Sequence, residues 1–259
     1  MQTDASSGQE DALQRLDKYL TGTRLIVHGG VFSEQEFSNP KIDEIVVANG
    51  ARLDRVVFRS IKIKHGSLGA GSVESHYDGC VFVNCELGVS SVGRATFRNC
   101  RFENSKIRGW ISLSAQFVDC VFESRLERVV FDAHPLPNVA AELGRERNRF
   151  EGNDFRGSIF RDVAFRGGVQ LAQDLMPTLD GGYFLRDGES AYTRSVSRVR
   201  GIDSSWANDV LAFLEVRLQN CRRGQVQDYI SPLDVVAATG DPDGRAVLNE
   251  LLREGMKLH

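Results

Sequence analysis

No run of roughly 18 apolar residues occurs in this 259-residue chain, so no membrane-spanning helix is expected. An excess of charge of one sign is also lacking. The 32 Lys and Arg residues stand against 35 Asp and Glu, and no global field points to nucleic acid or to an acidic substrate. Cysteine is scarce, with five in all, which is too few and too evenly spread for a disulfide framework. Met1 to Glu10 is polar and holds no apolar core of a secretory leader. Together these features give a cytoplasmic expectation. Catalytic signatures are missing as well: there is no GxSxG and no HExxH. His28, His65, His76, His134 and His259 are scattered, without a partnered carboxylate or nucleophile. Gly66-Ser67-Leu68-Gly69-Ala70-Gly71-Ser72 has the glycines of a phosphate loop, but Gly71 stands where the loop needs its lysine.

What the sequence does have is a period of five. From Cys80 to Ser124 it reads CVFVN, CELGV, SSVGR, ATFRN, CRFEN, SKIRG, WISLS, AQFVD, CVFES. The third place holds Phe82, Leu87, Val92, Phe97, Phe102, Ile107, Ser112, Phe117 and Phe122. The first is nearly always small, as at Cys80, Cys85, Ser90, Ala95, Cys100, Ser105, Ala115 and Cys120. A period of five fits neither a helix nor a lone strand, and instead signals stacked repeats that bury their apolar faces against one another.

These residues resemble the pentapeptide-repeat family, over roughly residues 30 to 170. The resemblance implies a right-handed quadrilateral parallel β-helix with four fives to the coil, its central and small residues inward and the other three outward. Residues twenty apart then stack: Phe82 with Phe102 and Phe122, Tyr77 with Phe97 and Phe117, and Leu87 with Ile107. Cys80, Cys100 and Cys120 form a column of small inward side chains. Packing, rather than metal ligation or disulfide bonding, accounts for them.

The expected fold class is therefore mainly β, a solenoid with an N-terminal capping helix and a C-terminal α-helical region. Residues 1–29 form the tail and cap, 30–170 the solenoid, and 171–259 the helical region. The cap is expected from about Gln9 to Leu20, with Ser7 before it and Leu13, Leu16 and Leu20 along one face. The register of fives breaks near residues 47–53, 74–79 and 108–114. In the first break Val47 gives way to Leu53, Phe58, Ile63, Leu68 and Val73. In the last, Trp110 is too large for a small place, so Ile111 or Leu113 is expected to turn inward. Asp132 to Arg149 carries two prolines and reads as an exposed excursion from the wall, open to proteases. The fives return at Phe150, Phe155, Phe160 and Phe165. Beyond Leu171, a helix with Trp206, Val210, Phe213, Leu214 and Leu218 on one face is expected to cover the last coil. Ser231-Pro232 and Asp241-Pro242 each pair a capping residue with a first-turn proline.

The functional expectation is a non-enzymatic protein–protein interaction module with no cofactor and no metal. Its candidate partner-binding residues are Arg94, Arg98, Arg101, Lys106 and Arg108, a basic stretch that is either a solvated face or a recognition patch. His134, Leu136, Arg145 and Arg147 of the excursion join them, with Leu248, Leu251 and Leu252 of the last helix. The partner is an unidentified protein or, through the C-terminal helices, a second copy, because twofold dimers are the commonest oligomers. Nucleic acid is not expected, since no exposed aromatic series accompanies the charges. The best-known members of the resembled family are bacterial quinolone-resistance proteins that mimic DNA and bind DNA gyrase or topoisomerase IV. Here Val31 to Phe131 has 12 acidic and 13 basic residues, and Asp132 to Gln170 six of each. A DNA mimic needs phosphate-like negative charge, so this alternative departs from the sequence. An enzyme site in the helical tail is the second alternative.

Overall fold

The corners of the coil explain its period. Two places after an inward apolar residue the backbone enters the left-handed region: Asn84, Asn99, Asn104 and Asp119 have φ of 56°, 53°, 44° and 54° after Phe82, Phe97, Phe102 and Phe117. Gly79, Gly109, Gly152 and Gly167 do the same after Tyr77, Ile107, Phe150 and Phe165. Asn, Asp and Gly are the residues that tolerate this conformation. A short strand followed by one such corner carries the chain onto the next wall.

The computed structural model describes residues 14–89, 91–178 and 181–258. The chain is mainly β, with parallel strands stacked into a solenoid and a helical region at its C-terminal end. Its inward residues fall on four walls. Wall one carries Val27, Val47, Leu68, Val92, Ser112, Phe131 and Phe165. Wall two carries Phe32, Leu53, Tyr77, Phe97, Phe117 and Phe150 on a six-stranded sheet. Wall three carries Phe37, Phe58, Phe82, Phe102, Phe122 and Phe155, and wall four Ile63, Leu87, Ile107, Leu126 and Phe160.

The twenty-residue coil holds where the fives are cleanest. Phe82 pairs with Phe102 and Phe102 with Phe122, with ring centroids 4.9 and 4.7 Å apart and planes within 7° of parallel. Tyr77, Phe97 and Phe117 stack likewise, and Cys80, Cys100 and Cys120 are buried free thiols in one column. A second column joins the coils by hydrogen bonds. Ser105 Oγ accepts from the Cys85 amide at 2.9 Å and donates to the Phe82 carbonyl at 3.0 Å, and Ser124 Oγ donates to the Phe102 carbonyl at 2.7 Å.

Elsewhere the coil length changes, and each change is a corner event. The step from Phe37 to Phe58 is 21 residues and that from Phe58 to Phe82 is 24. The longer coil loops out between Leu68 and Tyr77. There Ser75 and Tyr77 are inward, whereas Val73, expected inside, is 56% exposed. The step from Ile107 to Leu126 is 19 residues, with a register shift between Glu103 and Lys106. Trp110 corrects the expectation at the third break. It is fully buried in the small place, Ile111 is 48% exposed, and Ser112 takes the central place. Large and small have exchanged positions, so total volume is kept, and the indole stacks on Phe97 and Phe117.

The excursion is a second correction. Most of its residues are exposed, as expected, and Pro137–Leu143 forms a helix, α1, where a helical turn from Asn138 to Arg145 is expected, but the segment folds back onto wall one instead of standing free. Val139 is buried, Arg94 pairs with Glu142 at 2.5 Å, and Arg145 pairs with Glu74 at 2.5 Å and donates to the Ser114 carbonyl. At the N-terminal end, Ser7, Gln9 and Leu13 of the expected helix lie outside the described residues. Within them the end is closed differently: Leu16–Tyr19 is a single 3₁₀ turn, and Leu20–Thr21 pairs antiparallel with the first strand, Arg24–His28. Leu16 is buried, and Tyr19 meets Phe32 edge-on.

The tail contains α2 (Gly188–Val199), α3 (Ala207–Arg222), α4 (Pro232–Ala238) and α5 (Pro242–Gly255). Ser231 forms a capping box with Asp234, and Asp241 caps α5, so both proline-marked starts are found. Tyr183–Leu185 pairs antiparallel with Asp228–Ile230. Val210, Leu214 and Leu218 pack within the tail rather than on the last coil. The coil is covered instead by Tyr229, Phe184 and Met176. Its open backbone edge is met by side-chain amides. Gln225 Oε1 accepts from the amides of Gly168 and Val169, and its Nε2 donates to the Val169 carbonyl. An unpaired edge invites another strand, and this seal removes the invitation.

Candidate functional site

The sequence-expected residues separate into four places. Leu248, Leu251 and Leu252 are buried in the tail core, so they hold α5 within its own chain and offer no surface to a partner. Arg94 and Arg145 are occupied in holding the excursion to wall one, and Arg147 donates to the Gly168 carbonyl at 2.9 Å. Leu136 is exposed at a shallow apolar groove with Ile111, Leu113 and Val139. Gly69 and Gly71 of the loop-like Gly66–Ser72 stretch line the same groove for a packing reason. A Cβ on Gly69 or Gly93 would overlap the backbone of the neighbouring coil. Arg98 lies on wall two and Arg101 on wall three, where it pairs with Glu103 at 2.6 Å. The basic stretch is thus wound around the coil and does not form one patch.

Lys106 and Arg108 do come together, at the corner between walls four and one. Both pair with Glu127, at 3.7 and 3.0 Å, and Arg125 joins them at 2.6 Å. Burial would raise the Glu127 carboxyl, but the Arg108 hydrogen bonds and the neighbouring Lys106 and Arg125 charges outweigh it and hold the group below the ordinary carboxylate range. Beyond them opens a groove of about 760 Å³ lined by Lys64, Glu86, Leu87, Val89, Lys106, Arg108, Ile111, Arg128, Val130, Asp162, Ala164 and Arg166. Strand stacking builds it: Ile111 lies beside Val130 and Val130 beside Ala164, giving an apolar floor. Arg166 follows Ala164 on the same strand, and Arg128 occupies the left-handed corner with φ of 55°.

The groove continues against the tail. Arg108, Arg128 and Asp162 also line a hollow with Arg161, Phe213, Arg217 and Asp234, and Asp162 and Arg166 line another with His134, Asn220 and Arg223. The hollows end at a buried polar network that joins tail to solenoid. Asp228 accepts from Tyr192 Oη at 2.7 Å and lies 3.4 Å from Arg217, while Asp234 accepts from the Asp162 amide at 2.7 Å. Burial pushes both the Asp228 carboxyl and the Tyr192 phenol up.

Arg128, Arg161, Arg166 and Lys64 were missed by sequence reading, and a signal for them existed. Glu127 stacks on Arg161 and Asp132 on Arg166 only when the 19- and 34-residue steps after Ile107 and Leu126 are allowed for. A strict twenty-residue ruler places these cations on different walls. Comparison of the chain with family models, with curated proteins and with solved structures gave no match.

Proposed function

We propose that this is a pentapeptide-repeat protein that works as a non-enzymatic interaction module, presenting a rigid solenoid and its tail junction to a protein partner. The observation that carries the reading is the filled lumen. Stacked rings occupy the coil from Phe58 to Phe155. The outward residues therefore ride on a frame held at strand spacing, and a frame of that kind keeps a recognition surface organised before binding. The DNA-mimic alternative fits less well, because the walls cancel their own charge. Arg24 pairs with Glu44, Arg55 with Glu34, Arg59 with Glu36 and Lys62 with Glu86, each across adjacent coils. The pure protein is accordingly expected not to inhibit gyrase supercoiling.

The test is affinity capture from the source cell with the full chain immobilised. Specific retention of one protein, diminished by substitutions on one wall and unaffected by those on the others, is the expected result. Loss of no partner from any wall variant, or stoichiometric inhibition of supercoiling, would overturn the reading.

A further inference from the structure

The groove between walls four and one gathers charge of one sign. Five cations, Lys64, Lys106, Arg108, Arg128 and Arg166, face two carboxylates, Glu86 and Asp162, so the lining carries a net +3 on a chain whose formal net charge is −3. Glu127 sits behind Lys106 and Arg108 and offsets one unit of that charge. Among the described residues Lys64, Arg128 and Arg166 have no ion-pair partner, although most exposed cations on the adjoining coils do. The floor between them is apolar, with Val130 half-buried and Ile111 exposed.

We infer that this groove takes an acidic, partly apolar peptide segment of the partner protein. The inference rests on the interaction-module reading above and names the chemistry of its recognition site. Cations above an apolar floor complement a chain that alternates carboxylates with aliphatic side chains: the floor receives the anchors, and the rim steers and orients the charges. A nucleic acid fits less well. Glu86 and Asp162 would face its phosphates, and no aromatic ring lines the groove to stack a base.

Arg128 gives the inference an unusually clean test. It holds a left-handed corner, which Gly109 holds in the coil before. Arg128→Gly therefore removes the cation while relieving the backbone, and it should raise or preserve the melting temperature. Arg166→Gln removes the second free cation at an exposed position. The probe is a fluorescein-labelled twelve-residue peptide of repeated Glu-Asp-Leu, titrated against the full chain by anisotropy. Controls are a Lys-Lys-Leu peptide, a single-stranded oligonucleotide and inorganic polyphosphate.

The expected result is saturable binding of the acidic peptide below about 1 mM, weakened roughly tenfold in the double variant and falling with salt. Arg98→Gln, on wall two, should leave it unchanged. No binding, or binding indifferent to Arg128→Gly and Arg166→Gln, would overturn the inference. So would preference for the oligonucleotide or polyphosphate, or a dimer that the peptide dissociates, which would identify a second copy as the occupant. If the peptide fails while affinity capture still retains a wall-dependent partner, the contact lies on another wall and the module reading stands.

Discussion

The solenoid and the tail solve the same problem with different chemistry. The solenoid fills its interior with stacked rings and small side chains, and its interior polar atoms are mostly hydroxyls and thiols bonded to carbonyls of the neighbouring coil. The tail places a whole ionic group inside: Arg217, Asp228, Tyr192 and Asp234 are buried together where α2, α3 and α4 meet. A stack of like on like needs no further information to set its register, because any slip exposes the ladder. A small helical unit whose apolar stripes can pair in several ways gains from one polar contact that only the right arrangement satisfies. The buried network is thus a register device for the tail, and through the Asp162 amide it fixes the tail on the solenoid.

Substitution in each core should separate the two regimes. Phe102 lies in the middle of the longest ladder, fully buried and stacked on both sides. Phe102→Ala should cost about 3–5 kcal/mol in chemical denaturation, since the neighbouring coils are hydrogen-bonded in place and cannot close the cavity. A variant as stable as the parent would mean that the ladder does not hold the solenoid.

Arg217→Met should cost about 3 kcal/mol by leaving the buried Asp228 carboxyl without its cation. The sharper measurement is the double variant Arg217→Met with Asp228→Asn. If the network sets register rather than stability, this pair should regain most of the loss in melting experiments while the tail loses dispersion in its NMR spectrum. Full recovery of both would leave the network with no specifying role.

The two regions also differ in how far their sequences reveal them. The inward ladders were legible because the period and the packing rule are the same object: Phe82, Phe102 and Phe122 are alike because each rests on the last. Legibility failed where a local event compensates itself. Trp110 violates the small place, and Ser112 two residues on absorbs the violation, which a position-by-position rule reads as a break. The excursion was read as free because proline ends a ladder, but what pins it is a pair 71 residues apart, Arg145 with Glu74, which no local pattern announces. In the tail, the caps at Ser231 and Asp241 were readable. The fate of Leu248, Leu251 and Leu252 was not, since an apolar stripe does not say which surface it meets. The groove was half visible: Lys106 and Arg108 were found, and Arg128 and Arg166 were hidden by the shortened coil.

The comparison sharpens where the solenoid itself admits an acid. The column of Cys80, Cys100 and Cys120 continues as Asn153, whose Oδ1 accepts from the Cys120 amide at 3.1 Å, and then as Asp174. The Asn153 backbone amide and Nδ2 both donate to Asp174 Oδ1, at 2.7 and 3.0 Å, while its Oδ2 is buried without a hydrogen-bond partner. Burial pushes the Asp174 carboxyl from 3.8 up to about 7, against the pull of the Asn153 hydrogen bonds. The folded chain therefore keeps a proton that the unfolded chain releases. This site's contribution is most favourable below about pH 4, declines as pH rises toward about 7, and is constant above that. Asp174→Asn keeps the shape and the Asn153 bonds but cannot ionise. At about pH 4 the two proteins should be equally stable, since each leaves one neutral buried group unpaired; at about pH 8 the variant should be the more stable, by up to about 4 kcal/mol for the full shift. Denaturation curves at the two pH values read this directly. A stability difference that is the same at both would mean that the carboxyl is hydrated at the end of the column, and that the solenoid carries no buried charge of the kind the tail depends on.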